Sequence, residues 1–125
     1  MSEHEHQAAL FHWAEMEAKK IPELDMLFAV PNGGHRHAAV AAKLKLEGVK
    51  SGYPDIGLDV ARHGFHGLRI ELKKPKCGKS AAGRLSKPQA DWLQKLSDQG
   101  YMAVCCVGWE AAKETIEGYL IGGKI

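Results

Sequence analysis

The chain has 125 residues, 45% of them hydrophobic and 26% charged, with a formal net charge of +2. That length favours one domain over residues 1–125 with a single core, and the composition excludes a disordered chain. The apolar runs are too short to span a membrane. The start Met1-Ser2-Glu3-His4-Glu5-His6 lacks the basic and apolar regions of a signal peptide, so a cytoplasmic protein is expected.

From Glu3 to about Lys19 the spacing predicts a helix with Leu10, Phe11 and Ala14 on one face. Pro22 marks its exit. Met26 to Val30 is a short apolar strand, closed by the turn signal Pro31-Asn32-Gly33-Gly34. His37 to Glu47 is rich in Ala and Lys and reads as a helix stopped by Gly48. After the loop to Gly52 comes Tyr53-Pro54-Asp55, which opens a strand running to Val60. Gly64 to Gly67 suits a hairpin turn, and Leu68 to Lys73 is the strand that returns. Lys74 to Leu85 is a Gly- and Lys-rich loop. Ser86-Lys87-Pro88-Gln89 starts a helix to about Asp98, ended by Gly100. Tyr101 to Val107 is a strand and Trp109 to about Leu120 a last helix. The order α-β-α-β-β-α-β-α predicts an α/β fold, a mixed central sheet flanked by helices on both faces.

The chemistry is concentrated on the two middle strands. Ile56, Leu58 and Val60 point to one side, and Asp55, Gly57 and Asp59 to the other. In the next strand Leu68, Ile70 and Leu72 share a face, with Arg69, Glu71 and Lys73 opposite. Pairing these strands lets Asp55 and Glu71 converge on one divalent cation, with Lys73 beside it. Magnesium and manganese prefer such hard oxygen ligands. Asp59 is a rival further along, disfavoured because active sites sit near strand ends.

Charge is unevenly spread. Residues 1–25 carry six acids against two bases, whereas residues 69–87 carry seven bases against the single acid Glu71. Lys74, Lys76, Lys79, Arg84 and Lys87 in this cluster suit a polyanion, and Arg36 after Gly33-Gly34 is placed to touch phosphates. Glu3 and Gln7 share a helix face with Leu10, whereas Glu5 falls on the far side. At a helix start an acid also favours the positive N-terminus. Ser86-x-x-Gln89 fits a capping box, yet Gln89 also lies on the stripe with Leu93 and Leu96 that faces the sheet. The seven histidines fall in no zinc frame and read as structural or surface residues. Trp13, Trp92 and Trp109 read as core. So do the thiols of Cys77, Cys105 and Cys106, the last two on opposite strand faces. The last helix, around Trp109, Ile116 and Tyr119, offers apolar residues to a dimer surface or to the core.

Taken in order, Glu3…Gln7, Pro31-Asn32-Gly33-Gly34, Gly48…Ser51-Gly52-Tyr53-Pro54-Asp55, Glu71-Leu72-Lys73 and Ser86-x-x-Gln89…Gly100 resemble the VRR-NUC domain over about residues 3–107. This is the virus-type replication-repair branch of the PD-(D/E)xK nucleases. The resemblance implies a restriction-endonuclease-like fold and Mg²⁺- or Mn²⁺-dependent cleavage of DNA. It carries over Asp55, Glu71 and Lys73 as the central triad, adds Glu3 as a helix carboxylate and Gln89 as a helix glutamine, and gives Asp55, Glu71 and Leu72 as metal-holding positions. Standalone viral and bacterial members are similar to Holliday-junction resolvases that act as homodimers. The expected protein is therefore a structure-selective endonuclease on branched DNA, in the cytoplasm of a bacterium or of a virus's host. The alternatives are a flap, end or single-strand nuclease of the same superfamily and a catalytically silent DNA-binding module.

Overall fold

The computed structural model of the chain describes residues 1–31, 37–76 and 83–122. Its elements run α1 (Glu3–Glu17), β1 (Leu27–Ala29), α2 (Ala38–Leu46), β2 (Ile56–Leu58), β3 (Leu68–Lys73), α3 (Lys87–Asp98), β4 (Met102–Val107) and α4 (Trp109–Ile121), with a 3₁₀ turn at Pro22–Met26. The expected order is observed. The turn at Asn32-Gly33-Gly34 and residues 77–82 lie outside the described residues.

Local chemistry sets the helix ends. Ser2 caps α1: its hydroxyl accepts from the Glu5 N–H while the Glu5 carboxylate accepts from the Ser2 N–H, a closed capping box. Ser86 and Gln89 repeat the device at α3, with a proline in the first turn. Gly48, at φ 95°, ends α2 in a left-handed conformation. The Gly48 N–H then reaches the Lys45 carbonyl and the Val49 N–H the Leu44 carbonyl, a Schellman closure. The start of α4 has no side-chain cap of its own; the Trp109 N–H donates to Nδ1 of buried His6 on α1 at 3.1 Å instead.

The four strands form one sheet in the order β1-β2-β3-β4. β1 and β3 both run antiparallel to β2, and β4 runs parallel to β3. The parallel pair needs a long crossover, which α3 supplies. β1 and β2 are shorter than the sequence suggests, because Met26 is taken by the 3₁₀ turn and the ladder leaves out Asp55 and Asp59. Beyond β2 the Tyr119 hydroxyl donates to the Val60 carbonyl at 2.6 Å. The hairpin tip also sits earlier than expected, at His63-Gly64, with φ 54° and 83°. Positive φ at both central positions is what a tight two-residue hairpin loop demands.

One sheet face holds the apolar core. Leu10 and Ala14 of α1 and Ala112, Ile116 and Tyr119 of α4 close over Ile56, Leu58, Leu68, Ile70 and Leu72. Ile116 and Tyr119 are fully buried there. The last helix therefore completes the core and offers neither residue to a dimer surface. α3 packs on β3 and β4 from the other side. That second face carries the charges: Arg69, Glu71 and Lys73 are all buried. At Gly57 an added Cβ would run into the Phe28 ring, so only glycine lets that ring lie across the strand.

Candidate active site

The β2–β3 register builds the site. Ile56 pairs with Ile70, so one further step sets Asp55 opposite Glu71. Asp55 stands just outside the ladder, but its carbonyl still accepts from the Val30 N–H at 2.7 Å. Its carboxylate turns inward and accepts from the Leu72 N–H at 3.0 Å. Asp55 is thereby fastened to β3 by the residue between Glu71 and Lys73. The buried apolar side chain of Leu72 leaves only its carbonyl to offer a cation.

Glu71 is 2% exposed. Its Oε2 is 3.4 Å from the Gln89 amide nitrogen and 3.9 Å from Lys73 Nζ. Its Oε1 is buried and has no hydrogen-bond partner. Burial first, and the adjoining Asp55 carboxylate second, push the Glu71 carboxyl up to about 9, against the pull of Lys73. Gln89 fills both roles that its position suggests. Its carbonyl accepts from the Ser86 N–H at 2.9 Å and closes the cap, while its amide nitrogen reaches Glu71.

The two N-terminal acids divide their tasks. Glu5 is exposed and spent on the capping box, which lowers its pKa. Glu3 instead lines a cavity of about 430 Å³ together with His4, Gln7, Val30, Pro31, Asp55 and Leu72. Its charge reaches Glu71 and helps to raise that pKa. Of the basic residues, Lys74 is half-buried next to the site, and Lys76 and Arg84 are exposed. Lys87 pairs with Asp91 one helical turn on, at 2.9 Å. Arg36, Lys79 and Cys77 lie outside the described residues. Asp59 is held by Arg69 at 3.0 Å.

Three further residues belong here. His4 follows Glu3 into the cavity wall; its neighbours in sequence were the only signal. Gly83 lies so close that a Cβ there would come within 3.1 Å of both Glu3 Oε2 and Lys73 Cδ. No local pattern marks it. Cys105 pairs in register with Glu71 and is only half-buried, short of the burial its strand suggests. Burial pushes its thiol up, which disfavours the thiolate that nucleophilic catalysis needs.

Among the described residues no group of three or more His, Cys, Asp or Glu side chains is disposed to hold a metal ion. The two carboxylates still fit a hard divalent cation. Magnesium keeps several waters and takes only one or two protein carboxylates. The unpartnered Glu71 Oε1 is a buried acceptor of the kind such an ion satisfies.

The family model for the VRR-NUC domain matches residues 2–109. The chain belongs to the VRR-NUC family. A solved structure described as a VRR_NUC domain protein is 33% identical, covers 99% of this chain and 92% of its own, and superposes with a TM-score of 0.79. No curated protein matches the chain significantly. Membership makes this VRR-NUC domain a nuclease of the PD-(D/E)xK type, a class that generally uses divalent metals. No helix among the described residues is long and apolar enough to cross a membrane.

The buried carboxyl makes the metal-free VRR-NUC domain sensitive to pH. Glu71 titrates from 4.5 when unfolded to about 9 when folded, so between those values the folded chain binds one more proton. Stability then falls as pH rises from 4.5 toward 9 and levels off above. Urea denaturation in EDTA across this range should show the decline, and Glu71→Gln should flatten it. A wild-type profile rising with pH would contradict the burial of Glu71.

Proposed function

We propose that this VRR-NUC domain, over residues 1–125, is an Mg²⁺- or Mn²⁺-dependent DNA endonuclease that hydrolyses phosphodiester bonds in branched DNA as a homodimer. The observation that carries the reading is the buried, unpartnered Glu71 oxygen beside Asp55 and Lys73. Asp55, Glu71 and the Leu72 carbonyl would hold the cation. When bound, the cation polarises the scissile phosphate and acidifies a water. Gln89 fixes the rotamer of Glu71 by donating to one oxygen, which leaves the other for the ion. Lys73 orients the attacking water or balances charge on the pentavalent phosphate. Glu3 adds negative charge across the cavity. Lys74, Lys76, Arg84, Arg36, Lys79 and Lys87 hold the flanking phosphates, which sets position and affinity rather than sequence preference.

Intact Asp55, Glu71 and Lys73 argue against a catalytically silent module. A flap, end or single-strand nuclease would use the same chemistry, and only the substrate panel separates it from a resolvase. In a panel of junction, flap, nicked and linear DNAs, Asp55→Asn should abolish cleavage while circular dichroism stays native. Lys73→Ala should lower kcat on the order of a hundredfold with little change in DNA affinity. A loss confined to binding would make Lys73 part of the basic surface instead.

Two symmetric cuts in a four-way junction require two sites related by a two-fold axis. α2 is our choice for the dimer surface. None of its residues is buried, and Val40 and Leu46 are 48% and 90% exposed. Light scattering at micromolar concentration should give twice the 13.7 kDa chain mass, and Leu46→Glu should give the monomer. A monomeric wild type that cuts linear duplex and junction equally would rule out the resolvase reading.

A further inference from the structure

Beside the cavity at Asp55 lies a second hollow of about 270 Å³, lined by Val30, Pro31, Gly48, Val49, Lys50 and Tyr53. The two share Val30 and Pro31 as a common wall. The lining is mostly apolar. Its volume falls just below the range of roughly 300–1,000 Å³ typical of pockets for drug-sized ligands. One flat ring with its sugar suits it better than a larger molecule.

The hollow is rigidly built. The closure at the end of α2 fixes Val49, through the Val49 N–H bond to the Leu44 carbonyl at 3.0 Å. Tyr53 is held from behind by Arg69, whose Nε donates to the Tyr53 hydroxyl at 3.2 Å. Arg69 is itself 8% exposed. Its guanidinium lies 5.4 Å from the Phe28 ring centre and 4.9 Å from that of Tyr101, and bonds Asp59 at 3.0 Å. The Trp92 and Tyr53 rings meet in a T-shaped arrangement with their centroids 5.2 Å apart. The nuclease chemistry makes no use of this buried cation. One of its hydrogen bonds holds Tyr53, two residues before Asp55.

We propose that this hollow receives an unstacked nucleobase next to the scissile phosphate. The inference rests on the nuclease reading: a strand whose phosphate sits at Asp55 and Glu71 must lead its neighbouring nucleotide past Val30 and Pro31. An apolar recess rewards a base that has left the helical stack, and bases leave it most cheaply where strands branch or mismatch. The pocket thus gives the site a preference for DNA with an unpaired or loosely stacked base at the cut.

The test places the fluorescent base 2-aminopurine, one position at a time, around the cut mapped with wild-type protein. With uncleaving Asp55→Asn protein, fluorescence should rise several-fold at one flanking position and nowhere else. Val49→Phe on that background fills the hollow from an exposed position and should abolish the rise. In parallel, an abasic nucleotide at that position should lower wild-type kcat/KM about tenfold, the lower range of base-stacking effects. The Val49→Phe single variant should cut intact and abasic substrates at equal rates. Equal fluorescence at every position, or a rise that survives Val49→Phe, would overturn the pocket. A wild-type protein that cuts no DNA would defeat the nuclease reading itself.

Discussion

Three ionisable side chains in alternate positions of one central strand are buried beneath α3, and the rest of the molecule is arranged around their cost. Each buried ion costs several kcal/mol unless it is paired and hydrogen-bonded. Arg69 is matched in full, by Tyr53, Asp59 and two aromatic faces. Lys73 has the Glu71 carboxyl beside it at 3.9 Å. Glu71 is matched only in part: one oxygen meets Gln89 and Lys73, and the other has no hydrogen-bond partner while the Asp55 carboxylate adjoins it. An apolar residue there would give a more stable sheet. The deficit at Glu71 is what a cation would relieve, so stability is given up where the chemistry needs it.

The two faces of β3 divide the labour. Leu68, Ile70 and Leu72 anchor the strand in the core beneath α1 and α4, which fixes its register against β2. A slip by one residue would turn the charges into that core. The packing of one face therefore positions Asp55 against Glu71 on the other. α3 acts at both ends of this arrangement: its cap orders Gln89, and the same glutamine orders Glu71. Gly52 makes the joint close, since a Cβ there would come within 2.8 Å of Pro88.

Much of this was legible in the sequence because it rests on period and local chemistry. Alternation at Leu68 to Lys73 predicts β3 to the residue, and the capping signal at Ser86 places α3. The order of elements follows from such signals. What was not legible depends on contacts far apart in the chain. Gly83 approaches Glu3 across eighty positions, and Tyr53 meets Arg69 through a fold that no local pattern encodes. Glu3 lines the cavity at Asp55, whereas Ser2 claims Glu5. The last helix stayed open for the opposite reason: apolar periodicity at Ile116 and Tyr119 is the same for a core and for an interface, and burial decides for the core.

The proposed nuclease chemistry requires Asp55 and Glu71 to bind a hard divalent cation. Calorimetric titration of the DNA-free protein with Mn²⁺ tests it most directly. Repeating it in buffers of different ionisation enthalpy counts the protons released, because metal and proton compete for the same carboxylate. Saturable binding with proton release near pH 7 is expected, with loss of both in Asp55→Asn and in Glu71→Gln. Binding of equal strength in those two variants, or none in the wild type, would contradict it.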